Sequence, residues 1–155
     1  MSIENRLKSI EDETAIRALV ARFADACVTA DYKAFERLWS EHRRWTIHEL
    51  YLLSSKGVDD IVEMMANLRT GRDFFVQFAH SGIITLDGDK ASARWLMHEA
   101  SKGPGDAYYN NYGLYIDSLQ KSDGQWQFVQ RDYHYIWIDT QAFARTAFAL
   151  PENPY

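Results

Sequence analysis

A chain of 155 residues, 46% hydrophobic and 14% aromatic, is long enough to bury a core and too apolar to remain disordered. Its net charge of -5 argues against nucleic acid or an anionic membrane as the main partner, since both call for a basic face. No stretch approaches the ~18 apolar residues of a membrane span, and residues 1–6 lack a signal-peptide run, so a cytoplasmic protein is expected.

Residues 2–30 read as helix, because Ile16, Leu19, Val20, Phe23, Cys27 and Ala30 follow the spacing of one buried face. Cys27 lies on that stripe and reads as a buried thiol. Asp31 is placed to cap a second helix, residues 32–39. Residues 43–53 alternate as an extended segment, and residues 54–57 read as a turn. A third helix is expected over 59–68, ended by Thr70, Gly71 and Arg72.

From Phe74 onward the pattern is that of antiparallel strands. Asp87-Gly88-Asp89 is a strong hairpin signal, and Ser122-Asp123-Gly124 joins strands over 108–120 and 125–138. On the strand after the first turn, Ala91, Ala93, Trp95, Met97 and Glu99 share one face, while His98 falls on the other. A tail containing Pro151 and Pro154 reads as irregular. Helices preceding a run of long strands imply a single α+β domain over 1–155 with its core at about 10–140: three helices packed on a strongly curved antiparallel sheet, with a ligand cavity inside.

Four segments, 15–39, the Gly57 turn, 80–95 (HSGIITLDGDKASARW) and 122–137 (SDGQWQFVQRDYHYIW), resemble the nuclear transport factor 2-like superfamily, and within it the SnoaL-like and scytalone dehydratase-like proteins. The resemblance spans about 10–140. It implies a cone-shaped α+β barrel with an apolar pocket and no organic cofactor. Relatives include dehydratases, dehydrohalogenases, ketosteroid isomerases and polyketide cyclases. Others only bind ligands or serve as partner subunits, such as the small subunit of ring-hydroxylating dioxygenases. Many dehydratase-type members use an aspartate to orient a histidine base. Here the aspartate position falls on Val28 and the histidine position on Gln77, so the pair is not carried over.

The expected catalytic groups are therefore His80 as the acid/base, His48 or Tyr115 as a hydrogen-bond donor to a substrate oxygen, and Glu99 as the carboxylate replacing the one lost at Val28. Each has a plainer alternative: a backbone-bonded or solvent-side histidine, a half-buried tyrosine, a solvated strand end. Phe23, Val28, Trp45, Gln77 and Trp95 are the expected ligand-contacting wall. Arg131 could meet an anionic group or form an ordinary ion pair. No spacing suggests a metal site. The expected activity is a cofactor-independent lyase or isomerase reaction on an apolar, oxygenated ring compound; the alternative is a binding module or partner subunit. Tyr133, Tyr135 and Trp137 share an alternation that reads as an outer patch for a homodimer or homotrimer.

Overall fold

The computed structural model describes residues 2–142, so the proline-bearing tail lies outside the described residues. The first helix, α1, is Ile3–Thr29. Ser2 caps it by accepting the Asn5 N–H at 3.2 Å, and Ala30 ends it in the left-handed region, φ 57°. Asp31 caps α2, Tyr32–Glu36, through the Ala34 N–H at 2.9 Å. Expected to reach Trp39, this helix stops earlier because Leu38 and Trp39 join the sheet. The Leu38 carbonyl accepts the Phe128 N–H at 2.9 Å, and Trp39 opens β1, Trp39–Ile47. The segment read as a turn at 54–57 is mostly strand: β2, Leu53–Lys56, pairs back on β1. Then come α3, Val58–Arg69, and β3, Phe74–Asp87. Three long strands complete the sheet: β4, Lys90–Lys102, β5, Tyr108–Ser122, and β6, Gln125–Asp139.

The strands lie in the order β2-β1-β6-β5-β4-β3. All neighbours are antiparallel except β1 and β6, so the sheet is mixed rather than wholly antiparallel. It does not close. Three helices pack against it, as expected for an α+β cone. Both tight hairpins form where read: Gly88 takes φ 61°, while Asp123 and Gly124 take φ 50° and 77°, the paired positive values of a type I′ turn.

Phe23 is fully buried at the centre of the core, its ring 5.1–6.1 Å from those of Phe35, Trp39, Trp45, Tyr115 and Phe128. Arg131 is equally buried and lies against Phe23, Tyr115 and Phe128, with its Cζ 3.8–4.2 Å from the ring centroids. Its Nε donates to Asp117 Oδ1 at 2.8 Å. Burial pushes the Asp117 carboxyl up to about 6, against the pull of Arg131. Arg131 is thus half of a core ion pair. Asp12, also buried, accepts from Lys121 at 2.7 Å and Trp126 at 2.9 Å. Burial alone would raise its pKa, but these bonds and Lys8 hold it down at about 2.

Register shifts set which residues face inward. From the hairpin, Leu86, Ile84 and Gly82 lie opposite the inward Ala91, Ala93 and Trp95. Between Ala79 and Gly82, β3 then spends one residue more than β4. Uninterrupted alternation would bring His80 and Phe78 inward. The extra residue brings Ala79 and Gln77 inward instead, opposite Met97 and Glu99. Trp95 occupies the space over Gly82, where a Cβ would stand 2.0 Å from its Cε3. Register shifts between β5 and β6 at Ser118/Leu119 and at Tyr112/Gly113 correct the outer-patch expectation: after the first Tyr133 is buried and Tyr135 half-buried on the inner side, and after the second Trp137 is exposed.

Replacing Gly82 by alanine is expected to lower stability by about 1–3 kcal/mol, because Trp95 must leave its seat. Urea unfolding followed by tryptophan fluorescence measures this; an unchanged midpoint would contradict the packing described.

Candidate functional site

Between α3 and the inner face of the sheet lies a cavity of about 50 Å³. Strand alternation supplies most of its wall: Phe75 and Gln77 from β3, Glu99 from β4, Tyr109 and Tyr115 from β5, Tyr133 and Tyr135 from β6, with Trp45 and Ile47 from β1. Met65, Leu68 and Arg69 of α3 and Cys27 of α1 cover it, and Tyr51 reaches it from the β1–β2 loop.

The polar groups in this wall form a connected set. Gln77 Nε2 donates to Glu99 Oε1 at 2.5 Å. Asn111 pairs with Glu99 across the sheet, and the Tyr133 hydroxyl donates to Asn111 Oδ1 at 2.5 Å. Tyr133 can lie there because Gly113 has no side chain; a Cβ would stand 2.4 Å from the phenol. Trp45 Nε1 donates to the Tyr115 hydroxyl at 3.2 Å, so the phenol proton is left to donate elsewhere. Glu99 is 8% exposed and has no ion pair among the described residues. Burial raises its pKa above the ordinary carboxyl value, outweighing the opposing bonds from Gln77 and Asn111. Burial likewise holds the Tyr115 and Tyr133 phenols and the Cys27 thiol in their protonated forms.

The structure gathers Glu99, Tyr115, Trp45 and Gln77 on this one cavity. His80 is exposed on the outer side of β3, in an open groove against α1 that it shares with Val28, Trp95 and the far side of Gln77. The β3 bulge is the reason. Phe23 is core, in contact with Arg131 rather than with the void. His48 stacks on His134 at 4.2 Å between centroids and approaches Asp132 at 3.3 Å, outside the cavity wall. His98 takes the outer face, as alternation requires, with Nε2 2.7 Å from Asn110 Oδ1. Among the described residues no group of three or more His, Cys, Asp or Glu could hold a metal ion, and no helix is long and apolar enough to cross a membrane.

Arg69, Arg72 and Tyr133 also line the cavity and Asn111 pairs with Glu99 beside it; none of the four is among the site residues read from the sequence, Tyr133 being expected on an outer patch. For Asn111 a signal existed: it lies an even number of residues from Tyr115, on the same face of the strand.

The SnoaL-like domain model matches residues 8–132. The chain belongs to the SnoaL-like family. Solved structures share its fold. LinA superposes with a TM-score of 0.82 at 17% identity, covering 94% of this chain and 99% of that one. The hexachlorocyclohexane dehydrochlorinase LinA-type3 from Novosphingobium barchaimii gives 0.80 at 15%, covering 94% and 99%. A protein assigned as a scytalone dehydratase from Novosphingobium aromaticivorans gives 0.78 at 16%, covering 90% and 93%. No curated protein matches this SnoaL-like chain.

The raised pKa of Glu99 has a consequence for stability. Above pH 4.5 the unfolded chain gives up this proton while the folded chain keeps it, so stability falls as pH rises toward the folded value. In Glu99→Gln this contribution to the slope is absent. Urea midpoints of both proteins across pH 4–8 are expected to diverge in the variant's favour as pH increases; parallel curves would show an unperturbed carboxyl.

Proposed function

We propose that this SnoaL-like protein is a cofactor-independent lyase or isomerase for a small, mainly apolar, oxygenated ring compound, with Glu99 as its proton carrier. One observation carries the reading: an ionisable carboxyl is buried in the cavity wall without an ion pair among the described residues, bonded to an amide and surrounded by phenols. A carboxyl poised above its ordinary pKa is suited to move a proton near neutral pH. In a dehydration, the Glu99 carboxylate takes the hydrogen α to a carbonyl and the C–H pair becomes the C=C bond. The C–O bond breaks, and the departing hydroxide takes that proton as water. In an isomerisation the same proton returns to another carbon. The Tyr115 hydroxyl donates to the carbonyl oxygen as it gains charge. Gln77 holds the carboxylate in place, and Trp45 supplies an aromatic wall.

The cavity is smaller than the roughly 150 Å³ that admits benzene in an engineered core. Ring entry therefore requires wall movement. The β1–β2 loop is suited to it: Leu50, Tyr51 and Leu52 are exposed, and Glu49 and Leu52 hold left-handed conformations that cost energy in non-glycine residues.

A second reading, binding without conversion, is favoured by Gln77, whose amide does not titrate, at the position where relatives are expected to place histidine. A panel of cyclic β-hydroxy ketones and enolisable ring ketones separates the two. Glu99→Gln is expected to lower turnover by about 10²–10⁴ while ligand binding persists. Binding without turnover in the wild-type protein would establish the second reading.

We also propose self-association through the outer sheet face, where Phe78, Leu96, Tyr112, Ile136 and Trp137 are exposed. Light scattering is expected to give a dimer or trimer mass that Tyr112→Lys with Trp137→Lys reduces to the monomer; a monomeric wild-type mass would remove the proposal.

A further inference from the structure

We propose that Arg69 and Arg72 form a carboxylate-binding subsite on the α3 side of the cavity, so that the ligand is a ring compound bearing a carboxylate. This rests on the reading of the cavity as a ligand site and narrows its substrate class.

Both guanidinium groups line the cavity. Arg72, with Tyr51, Leu68 and Tyr109, also borders a depression on the outside, so it stands between the cavity and the surface. Arg69 uses Nη2 to donate to the Val28 carbonyl at 3.2 Å, while its buried Nε and Nη1 have no hydrogen-bond partner. Arg72 is held by its bonds from Nε to the Leu68 carbonyl and from Nη1 to Ser101 Oγ, the latter at 2.8 Å. Ser101 is itself fixed, donating to the Phe74 carbonyl at 3.0 Å. Tyr109 stacks beside Arg72 and Phe75 beside Arg69, each about 5 Å from the guanidinium carbon.

Such burial of polar hydrogens without acceptors is costly. Among the described residues no carboxylate pairs with either arginine, and the neighbouring Asp73 is engaged by Lys102 at 2.9 Å. Burial disfavours the charge of Arg69, and the like charge of Arg72 adds to this. A carboxylate between them would accept from the open Nε–H or Nη1–H of Arg69, together with the second Nη2–H on that edge, and relieve the repulsion. Planar two-point donation from guanidinium matches a carboxylate better than a neutral amide. The ring attached to such a carboxylate would meet Phe75 and Tyr109, with Glu99 and Tyr115 further along the same wall.

The test uses the full chain with benzoate, cyclohexanecarboxylate, benzamide and inorganic phosphate, titrated by calorimetry and by amide chemical-shift mapping. Benzoate is expected to bind at least 10-fold more tightly than benzamide or phosphate, to shift resonances at Phe75, Arg69 and Tyr109, and to weaken with added salt. Arg69→Gln should abolish the preference for benzoate over benzamide, and Arg69→Lys should keep part of it. Equal affinity for benzoate and benzamide, phosphate binding as tight as benzoate, shifts confined to another surface, or a preference unchanged in Arg69→Gln would each overturn the subsite. Because the shift mapping is done on the wild-type protein, a poorly folding variant does not remove the test. Glu99→Gln separates the two proposals: it should keep benzoate binding, and if it also kept turnover the proton-carrier role would fall while the subsite stood.

Discussion

Between Ala79 and Gly82, β3 carries one residue more than β4 opposite it, and Trp95 packs into the space over Gly82 at the same point. The chemistry of the cavity depends on that junction. On one side of it the even-numbered residues of β3 face inward, on the other side the odd-numbered ones. The extra residue therefore exchanges an imidazole for an amide inside the cone. It also lays Gln77 opposite Glu99, where a 2.5 Å bond joins them. Without it, Phe78 would stand opposite Glu99, and His80 would turn to the inner face of the sheet.

The interior holds charge in two different ways. Arg131 and Asp117 neutralise each other, and three aromatic faces cover the cation. Such a pair is costly to break and chemically idle. Glu99 has no ion pair among the described residues; its burial outweighs the bonds from Gln77 and Asn111 and the more distant charge of Arg72, so its proton is retained more strongly than in water. The core thus keeps a fixed ion pair beneath a titratable group, separated by Tyr115, which touches both environments.

Much of this was legible in the sequence. The stripe from Ile16 to Cys27, the Asp31 cap, the Asp-Gly turns and the inward face ending in Glu99 all follow from spacing and turn chemistry, because local sterics and period decide them. What was not legible depends on pairing between distant strands. His80 reads as inward only if β3 alternates without interruption, and a one-residue bulge leaves no composition signal beyond Gly82. Tyr133 and Tyr135 were misread for the same reason, since a register shift between Phe128 and Gln130 passes the inward face of β6 from even to odd residues and a second, near Gly113, turns Trp137 out. Trp39 looked helical by period but was taken by the Leu38–Phe128 backbone bond, a contact across ninety positions of sequence. Arg72 read as part of an ordinary helix end and Arg69 had no reading, and only tertiary packing shows that the donors of Arg69 are enclosed.

The bulge in β3 has an effect beyond the cavity, because β3 is also one margin of the open sheet, fourteen residues long. A straight margin of that length would offer another molecule a regular row of backbone donors and acceptors. The kink spoils that row near its middle. Deleting one residue there would simultaneously reverse the lining of the hollow and present an uninterrupted template for intermolecular zippering, so ligand chemistry and solubility are tied to the same backbone irregularity.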